Sequence, residues 1–173
     1  MASSVPPRVR WAVDLVDPRP GDEVLEVGGG SAASARVVCA RLSTGRLTAV
    51  ERSAVAAARI RDGGRDHLAA GRLRVLECPL TDLDLPEASI ERAFCLNVNV
   101  FWTSSGAAEL AVLARVLRPG GLLALLWSGA PTATESSTAR VLEPVSAAVA
   151  AGPFTEITIH DGPAGCGVVA RRS

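Results

Sequence analysis

The chain has 173 residues, which predicts a single domain with a full core. Its 18 basic and 18 acidic residues cancel, so we expect neither a nucleic acid nor a membrane as a partner. The first ten residues do not resemble a signal peptide, and the longest apolar run, Leu122 to Trp127, is too short to span a bilayer, so a cytoplasmic location is expected.

Hydrophobic patterning predicts that strands and helices alternate along residues 9–127. Residues 1–22 contain one helix and a turn, residues 23–127 form the predicted binding core, and residues 128–173 hold a helix and two strands. The core and its lead-in are predicted as helix 9–16, strand 23–27, helix 31–42, strand 46–50, helix 53–61, strand 73–77, strand 92–96, helix 107–117 and strand 122–127.

The tail is predicted to fold differently. A helix at residues 138–150 is followed by strands at 154–160 and 166–171, and the link between them is too short for a crossover helix. These two strands should therefore pair in antiparallel fashion. The predicted fold is α/β: a Rossmann-like, doubly wound sheet of seven strands, five of them parallel, with a C-terminal antiparallel hairpin and helices on both faces.

The stretch VLEVGGGSA, Val24 to Ala32, indicates a nucleotide site. An apolar strand runs into Gly28, Gly29 and Gly30, which leave bare backbone where the chain turns. The N–H groups at the start of the next helix then face any ligand bound there. The sequence therefore predicts that this turn binds a nucleotide.

Two acids refine this prediction. Glu51 ends the second strand, 25 residues beyond Glu26, where a carboxylate can accept both hydrogen bonds of a ribose diol. The alternative is a surface glutamate paired with Arg52. Glu26 lies inside the first strand, just before the glycines, and an acid there suits a ligand with a positive charge, such as an amino acid ammonium group.

At this point the chain resembles the class I S-adenosylmethionine-dependent methyltransferases of the small-molecule type, from about Trp11 to Ala170. The matching motifs are VLEVGGGSA, LTAVERS, DLPEASIERAFCLNVNVFW and RVLRPGG. The resemblance implies S-adenosylmethionine as cofactor and S-adenosylhomocysteine as product. It also implies that Gly28 and Gly30 lie against the methionine part and that Glu51 holds the ribose. The expected cofactor-binding residues are Glu26, Gly28, Gly29, Gly30, Glu51, Arg52, Cys78, Pro79 and Asn97.

The sequence departs from the family after the third strand. The family commonly has an Asp there that accepts the adenine amino group, whereas this chain has Cys78. Pro79 follows and has no N–H to donate to the ring. Either Thr81 or Asp82 substitutes after a shift of the loop, or adenine binding is weakened, by roughly 1.5–3 kcal/mol.

Methyl transfer needs positioning more than acid–base chemistry, so no dedicated base is expected. Asn97 and Asn99 follow the fourth strand and are assigned positioning roles in catalysis, with turn capping as their alternative. We expect no functional role for either histidine. His67 is predicted to lie in a loop and His160 at the end of a strand. Enzymes that methylate amino groups of nucleic acids have an Asn-Pro-Pro-aromatic motif. The segment that starts at Asn97 lacks its prolines, which argues against a nucleic acid substrate. The predicted methyl acceptor is a small molecule, with a secondary metabolite as one candidate. We expect its pocket to be open, or to be closed by the second subunit of a homodimer.

Three other functions remain open. A non-methylating or non-catalytic protein on a methyltransferase fold is favoured by Cys78-Pro79, and an NAD(P)-dependent oxidoreductase fits the spacing of Gly28, Gly30 and Ala33. A hydrolase would use Gly29 to Ala33 as a nucleophile elbow. The four cysteines are far apart, so no metal site is expected. All basic residues are arginine, which we interpret as the coding bias of a GC-rich, bacterial genome.

Overall fold

The computed structural model describes residues 5–30, 32–128 and 135–173. Its centre is a seven-stranded sheet with strand order β3-β2-β1-β4-β5-β7-β6. The strands are β1 (Glu23–Val27), β2 (Arg46–Val50), β3 (Leu73–Leu76), β4 (Ile90–Leu96), β5 (Leu117–Trp127), β6 (Phe154–Gly162) and β7 (Gly165–Arg172). The first five strands pair in parallel, and β7 pairs antiparallel with both β5 and β6, as predicted.

Helices connect the strands and cover both faces of the sheet. They are α1 (Pro7–Val16), α2 (Ala32–Arg41), α3 (Ala54–Gly63), α4 (Arg65–Ala69), α5 (Val100–Thr103), α6 (Ala107–Val116) and α7 (Glu135–Ala150). One hydrophobic cluster joins α1, α2 and α3 to one face, and a second joins α6 and α7 to the other. This two-sided burial explains why the strands are nearly continuous apolar runs.

The direction of the parallel strands positions the site. In such a sheet, the loops that follow the strands meet along one edge, and order reverses between β1 and β4. The chain runs from β1 outward to β2 and β3, then returns to β4 on the other side of β1. The ends of β1 and β4 therefore border the switch point where ligands bind in folds of this kind.

Several local predictions were wrong or incomplete. His67 lies in the short helix α4, whereas a loop was predicted. A single 3-10 turn at Leu80–Asp82 interrupts the loop after β3, and the four-residue α5 follows β4. Helices this short have too few turns to leave an amphipathic period in the sequence.

The motif RVLRPGG also differs from its predicted form. We expected a turn at Arg118–Gly121 between helix and strand, but β5 begins directly at Leu117. The pairing of β4 with β5 shifts register between Ile90 and Arg92, and Gly120 has a φ of +76°. The turn residues thus form an irregularity within the strand, which keeps pairing on either side of it.

Candidate functional site

A cavity of about 620 Å³ opens at the ends of β1, β2, β3 and β4. Its size falls within the usual range of roughly 300–1,000 Å³ for small-molecule sites. The described residues that line it are Val27, Gly28, Val50, Glu51, Arg52, Cys78, Pro79, Leu80, Thr81, Asn97, Val98, Asn99, Val100, Thr103, Ser104 and Glu109. Predicted site residues from four different strand ends therefore meet around one cavity.

The glycine turn needs glycine for two reasons. Gly28 and Gly30 have φ values of +69° and +49°, in the left-handed region that disfavours other residues. A Cβ added to Gly28 would lie only 2.6 Å from Cγ2 of Val98. The backbone N–H of Gly28 donates to the carbonyl of Val50 at 2.8 Å, which fixes the turn against β2. The turn therefore presents bare backbone beside the cavity.

Glu26 lies beneath this turn and is fully buried. One carboxyl oxygen bonds to the hydroxyl of Ser34, and the other, Oε2, has no hydrogen-bond partner among the described residues. A Cβ on Gly29 would lie 3.2 Å from Oε2. Burial raises the pKa of Glu26 to about 7, an effect opposed by the bond to Ser34 and increased by the charge of Glu51. Glu26 does not line the cavity itself, so its predicted contact with a ligand would pass through the turn.

Glu51 occupies the end of β2 and is buried. Its carboxylate accepts hydrogen bonds from the backbone N–H of Ser53 at 3.0 Å and from that of Gly30 at 3.4 Å. These bonds orient the carboxylate between the glycine turn and the cavity, and each oxygen keeps a lone pair for a further donor. Its predicted alternative, a surface pair with Arg52, is absent from the ion pairs formed by the described residues.

Cys78 and Pro79 line the cavity after β3, and the 3-10 turn follows them at once. Burial, and secondarily the charge of Asp82, raises the pKa of the Cys78 thiol, so this position offers a neutral thiol. Of the two predicted substitutes for the missing Asp, Thr81 lines the cavity and Asp82 does not. The hydroxyl of Thr81 lies 3.2 Å from a carboxylate oxygen of Asp82.

The two asparagines line the cavity but have local partners. Oδ1 of Asn97 accepts from the N–H of Ser128 at 2.8 Å, and its Nδ2 lies 3.3 Å from the Ser128 hydroxyl. Asn97 has a φ of +64°, so it closes the turn after β4 in a strained conformation. Oδ1 of Asn99 accepts from the indole N–H of Trp102 at 3.3 Å. The contacts of Asn97 link the ends of β4 and β5, whereas that of Asn99 is local to α5.

Three polar residues at the cavity were not predicted: Thr103, Ser104 and Glu109. They belong to α5 and the start of α6, whose position depends on packing across the sheet. The sequence signal available was only that Thr103 and Ser104 fall between Asn99 and the predicted helix and that Glu109 falls in the first turn of that helix. His67 and His160 do not line this cavity. Ser31, the nucleophile of the hydrolase alternative, lies outside the described residues.

Two further properties of the described residues bear on the predicted partners. Within residues 5–30, 32–128 and 135–173, no three His, Cys, Asp or Glu side chains group together as ligands for a metal ion. Across the same ranges, none of the helices is both long enough and apolar enough to cross a membrane.

Comparison with known proteins now decides the family. A family model described as a methyltransferase domain matches residues 24–121, which is more than half of the chain. The chain belongs to this methyltransferase family. The predicted membership of the class I S-adenosylmethionine-dependent methyltransferase superfamily is therefore confirmed, as are the enzyme class and its cofactor. None of the curated proteins matches the sequence.

Solved structures confirm the fold of this methyltransferase. Geranyl diphosphate C-methyltransferase from Streptomyces coelicolor A3(2), in complex with Mg²⁺, geranyl diphosphate and S-adenosyl-L-homocysteine, has a TM-score of 0.77 at 15% identity, covering 96% of this chain and 78% of its own. An S-adenosylmethionine-dependent O-methyltransferase from Thermotoga maritima has a TM-score of 0.76 at 15% identity, with coverages of 99% and 67%. The [4+2]-cyclase SpnF has a TM-score of 0.75 at 18% identity, with coverages of 95% and 79%.

Proposed function

We propose that this methyltransferase transfers the methyl group of S-adenosylmethionine to a small-molecule acceptor by in-line displacement. The observation that carries the proposal is the cavity bordered at once by Gly28 and by Glu51. A turn without side chains and an acid one strand away match the two ends of a ribose-linked amino acid. Membership of the family supplies the cofactor, and this geometry supports the place proposed for it.

The residues present fit such a cofactor. The bare backbone of Gly28 to Gly30 would receive the methionine part, and Glu51 would accept both hydroxyls of the ribose with its free lone pairs. The unpartnered Oε2 of Glu26 lies under the turn and is free to accept a hydrogen bond, and a positively charged ammonium group at this end of the site would favour the ionised form of this buried carboxyl. Arg52 follows Glu51, and Gly29 lies between Gly28 and Gly30, so both residues would lie next to the groups that contact the cofactor.

The cofactor, when bound, supplies a methyl group already activated by a positively charged sulfur. The protein therefore has to hold the acceptor in line and exclude water, and proximity of this kind is worth about 7–11 kcal/mol. Asn97 and Asn99 border the cavity after β4, and we propose that their amides orient the acceptor atom. Their bonds to Ser128 and Trp102 support a positioning role, since they hold both amides in place.

We further propose that the acceptor is a small metabolite. A cavity of about 620 Å³ has to hold cofactor and acceptor together, which leaves little room for a large substrate. The Streptomyces relative binds geranyl diphosphate, a molecule of this size class. The absence of a nucleic acid or membrane partner, a homodimer that closes the cavity and a cytoplasmic location remain predictions from the sequence.

Titration calorimetry with S-adenosylhomocysteine tests the proposal. The wild-type chain should bind one equivalent, and Glu51→Ala should weaken binding at least about tenfold, because charge-assisted hydrogen bonds are worth roughly 1.5–3 kcal/mol each. Glu87→Ala, which removes an exposed carboxylate outside the cavity, is the matched control. Equal affinities of wild type and Glu51→Ala would remove Glu51 from the ribose role.

A second candidate is a non-methylating enzyme on the same fold. It is favoured by the similarity to the [4+2]-cyclase SpnF and by the Cys78-Pro79 departure. Binding of S-adenosylhomocysteine does not by itself exclude this candidate, so turnover has to separate the two. Incubation with S-adenosylmethionine and a panel of small acceptors should release S-adenosylhomocysteine if the chain transfers methyl groups. A chain that binds the cofactor but releases none with any acceptor would favour the second candidate.

A further inference from the structure

One wall of the cavity consists of hydrogen-bond acceptors. It is formed by α5, the start of α6 and the 3-10 turn after β3, and we call it the α5–α6 wall. Its polar side chains are those of Thr81, Thr103, Ser104 and Glu109. Helix α6 packs directly against the 3-10 turn, so these side chains belong to one continuous surface. The function proposed above assigns no role to these four side chains.

The hydroxyls of Thr103, in α5, and of Ser104, which follows α5, have already used their hydrogens. Oγ1 of Thr103 lies 2.9 Å from the carbonyl oxygen of Asn99, and Oγ of Ser104 lies 2.8 Å from that of Val100. A carbonyl oxygen carries no hydrogen, so in each pair the hydroxyl is the donor. What remains of each hydroxyl is lone pairs, which can only accept, and the Ser104 oxygen already accepts one bond from the backbone N–H of Gly106 at 3.3 Å. Any ligand group that meets them has to donate.

The other two side chains have the same character. The hydroxyl of Thr81 donates to the carboxylate of Asp82, as the 3.2 Å contact indicates. Glu109 is half-buried in the wall, and its carboxylate forms no hydrogen bond or ion pair within the described ranges 5–30, 32–128 and 135–173. Arg52 is the cation that lines the cavity, but it follows β2 and is exposed. These four side chains of the α5–α6 wall thus contribute acceptors and no donor.

We infer that the α5–α6 wall binds the exocyclic amino group of the cofactor's adenine, with Glu109 as the principal acceptor. This inference rests on the proposed function. A ribose held by Glu51 at the end of β2 leaves the base toward β3, where Cys78, Pro79 and Thr81 line the cavity. Cys78 offers a neutral thiol, so a strong acceptor for the amino group has to come from the facing wall. An amino group has two N–H donors and matches a surface that only accepts.

Calorimetry with two cofactor products tests this assignment. S-adenosylhomocysteine carries the amino group, whereas S-inosylhomocysteine carries a carbonyl oxygen in its place and a hydrogen on the neighbouring N1, so its exocyclic position would face the acceptors with another acceptor. Wild type should prefer S-adenosylhomocysteine about tenfold or more, the effect of one charge-assisted hydrogen bond. In Glu109→Gln the side-chain amide can donate to the carbonyl, so the preference should fall to within about threefold.

The ratio of the two affinities separates recognition from structure. Glu109 lies in the first turn of α6, so its loss could also loosen the helix, but loosening would weaken both ligands equally. Glu87→Gln, which changes an exposed carboxylate, should keep the wild-type ratio. Binding of S-adenosylhomocysteine with an unchanged ratio in Glu109→Gln would overturn the inference and leave the proposed function intact. A wild-type chain that binds neither ligand would overturn both.

Discussion

Gly28 and Val98 approach each other so closely that a Cβ on Gly28 would lie 2.6 Å from Cγ2 of Val98. This contact joins the glycine turn after β1 to the loop after β4, across the switch point of the sheet. Gly28→Ala would meet both the clash and a φ of +69°. The left-handed conformation alone costs about 1–2 kcal/mol. We therefore expect urea denaturation to show a loss of at least that size.

The variant Val98→Ala separates the two causes. It removes the clashing methyl but leaves the backbone strain, so the double variant should recover part of the loss in free energy of unfolding. Gly71→Ala provides a matched control, since Gly71 has a φ of +70° and nothing within 4 Å of its added Cβ. Equal losses in Gly28→Ala and in the double variant would contradict the role of the contact.

Glu26 should make stability depend on pH. Its folded pKa is raised to about 7 from 4.5, chiefly by burial, so the native state keeps a proton that the unfolded state releases between these values. The free energy of unfolding contributed by this group therefore falls as pH rises from about 4.5 to about 7. At about 1.36 kcal/mol per pKa unit, the full effect is at most roughly 3 kcal/mol.

Glu26→Gln isolates this effect, because the amide is neutral at every pH and can still bond to Ser34. Thermal or urea denaturation without ligand should show the variant more stable than wild type at pH 8 and similar to it at pH 5. The exposed Glu87→Gln should follow the wild-type curve. A constant difference between Glu26→Gln and wild type across this pH range would show that Glu26 does not titrate there.

A buried ion pair anchors the opposite end of the sheet. Nε of Arg92 lies 2.5 Å from a carboxylate oxygen of Asp22, and its NH1 donates to the carbonyl of Val16 at 2.8 Å. Asp22→Ala leaves a buried guanidinium without its partner, which typically costs about 3–5 kcal/mol. The double variant with Arg92→Met should lose less than the sum of the single losses. Strict additivity in urea denaturation would contradict this coupling.

Asn97 should tolerate glycine better than alanine. Both changes remove the hydrogen bond from Ser128, worth about 0.5–1.5 kcal/mol at this exposed site. Alanine also has to adopt the φ of +64°, at a further cost of about 1–2 kcal/mol, which glycine avoids. Chemical denaturation of the two variants measures the difference. Equal stabilities would mean that the loop after β4 rearranges when the amide is lost.

Sequence patterns predicted the sheet well because its strands obey local rules. The buried runs ending at Val27 and Val50, and the short link between the two C-terminal strands, each fix one element and its neighbour. The end of each parallel strand then gave the position of Gly28 and Glu51. These features depend on residues that are consecutive in the chain, so they could be predicted without knowing the tertiary structure.

The α5–α6 wall could not be predicted from the sequence, because it depends on packing between elements that are distant in the chain. Ser104 and Glu109 reach the cavity because α6 packs on the 3-10 turn, some 25 residues earlier in the chain. Likewise, the hydrogen bonds that bind Asn97 to Ser128 join the ends of two strands. Contacts of this kind depend on how elements pack together, and no local pattern records them.

A crystal structure of the chain with S-adenosylhomocysteine tests the central claim most directly. We predict that electron density for the ligand follows the ends of β1, β2 and β3, with its ribose hydroxyls within hydrogen-bond distance of the Glu51 carboxylate. The methionine part should lie on the backbone of Gly28. Ligand density at another place on the chain, with an empty cavity beside Glu51, would contradict the account.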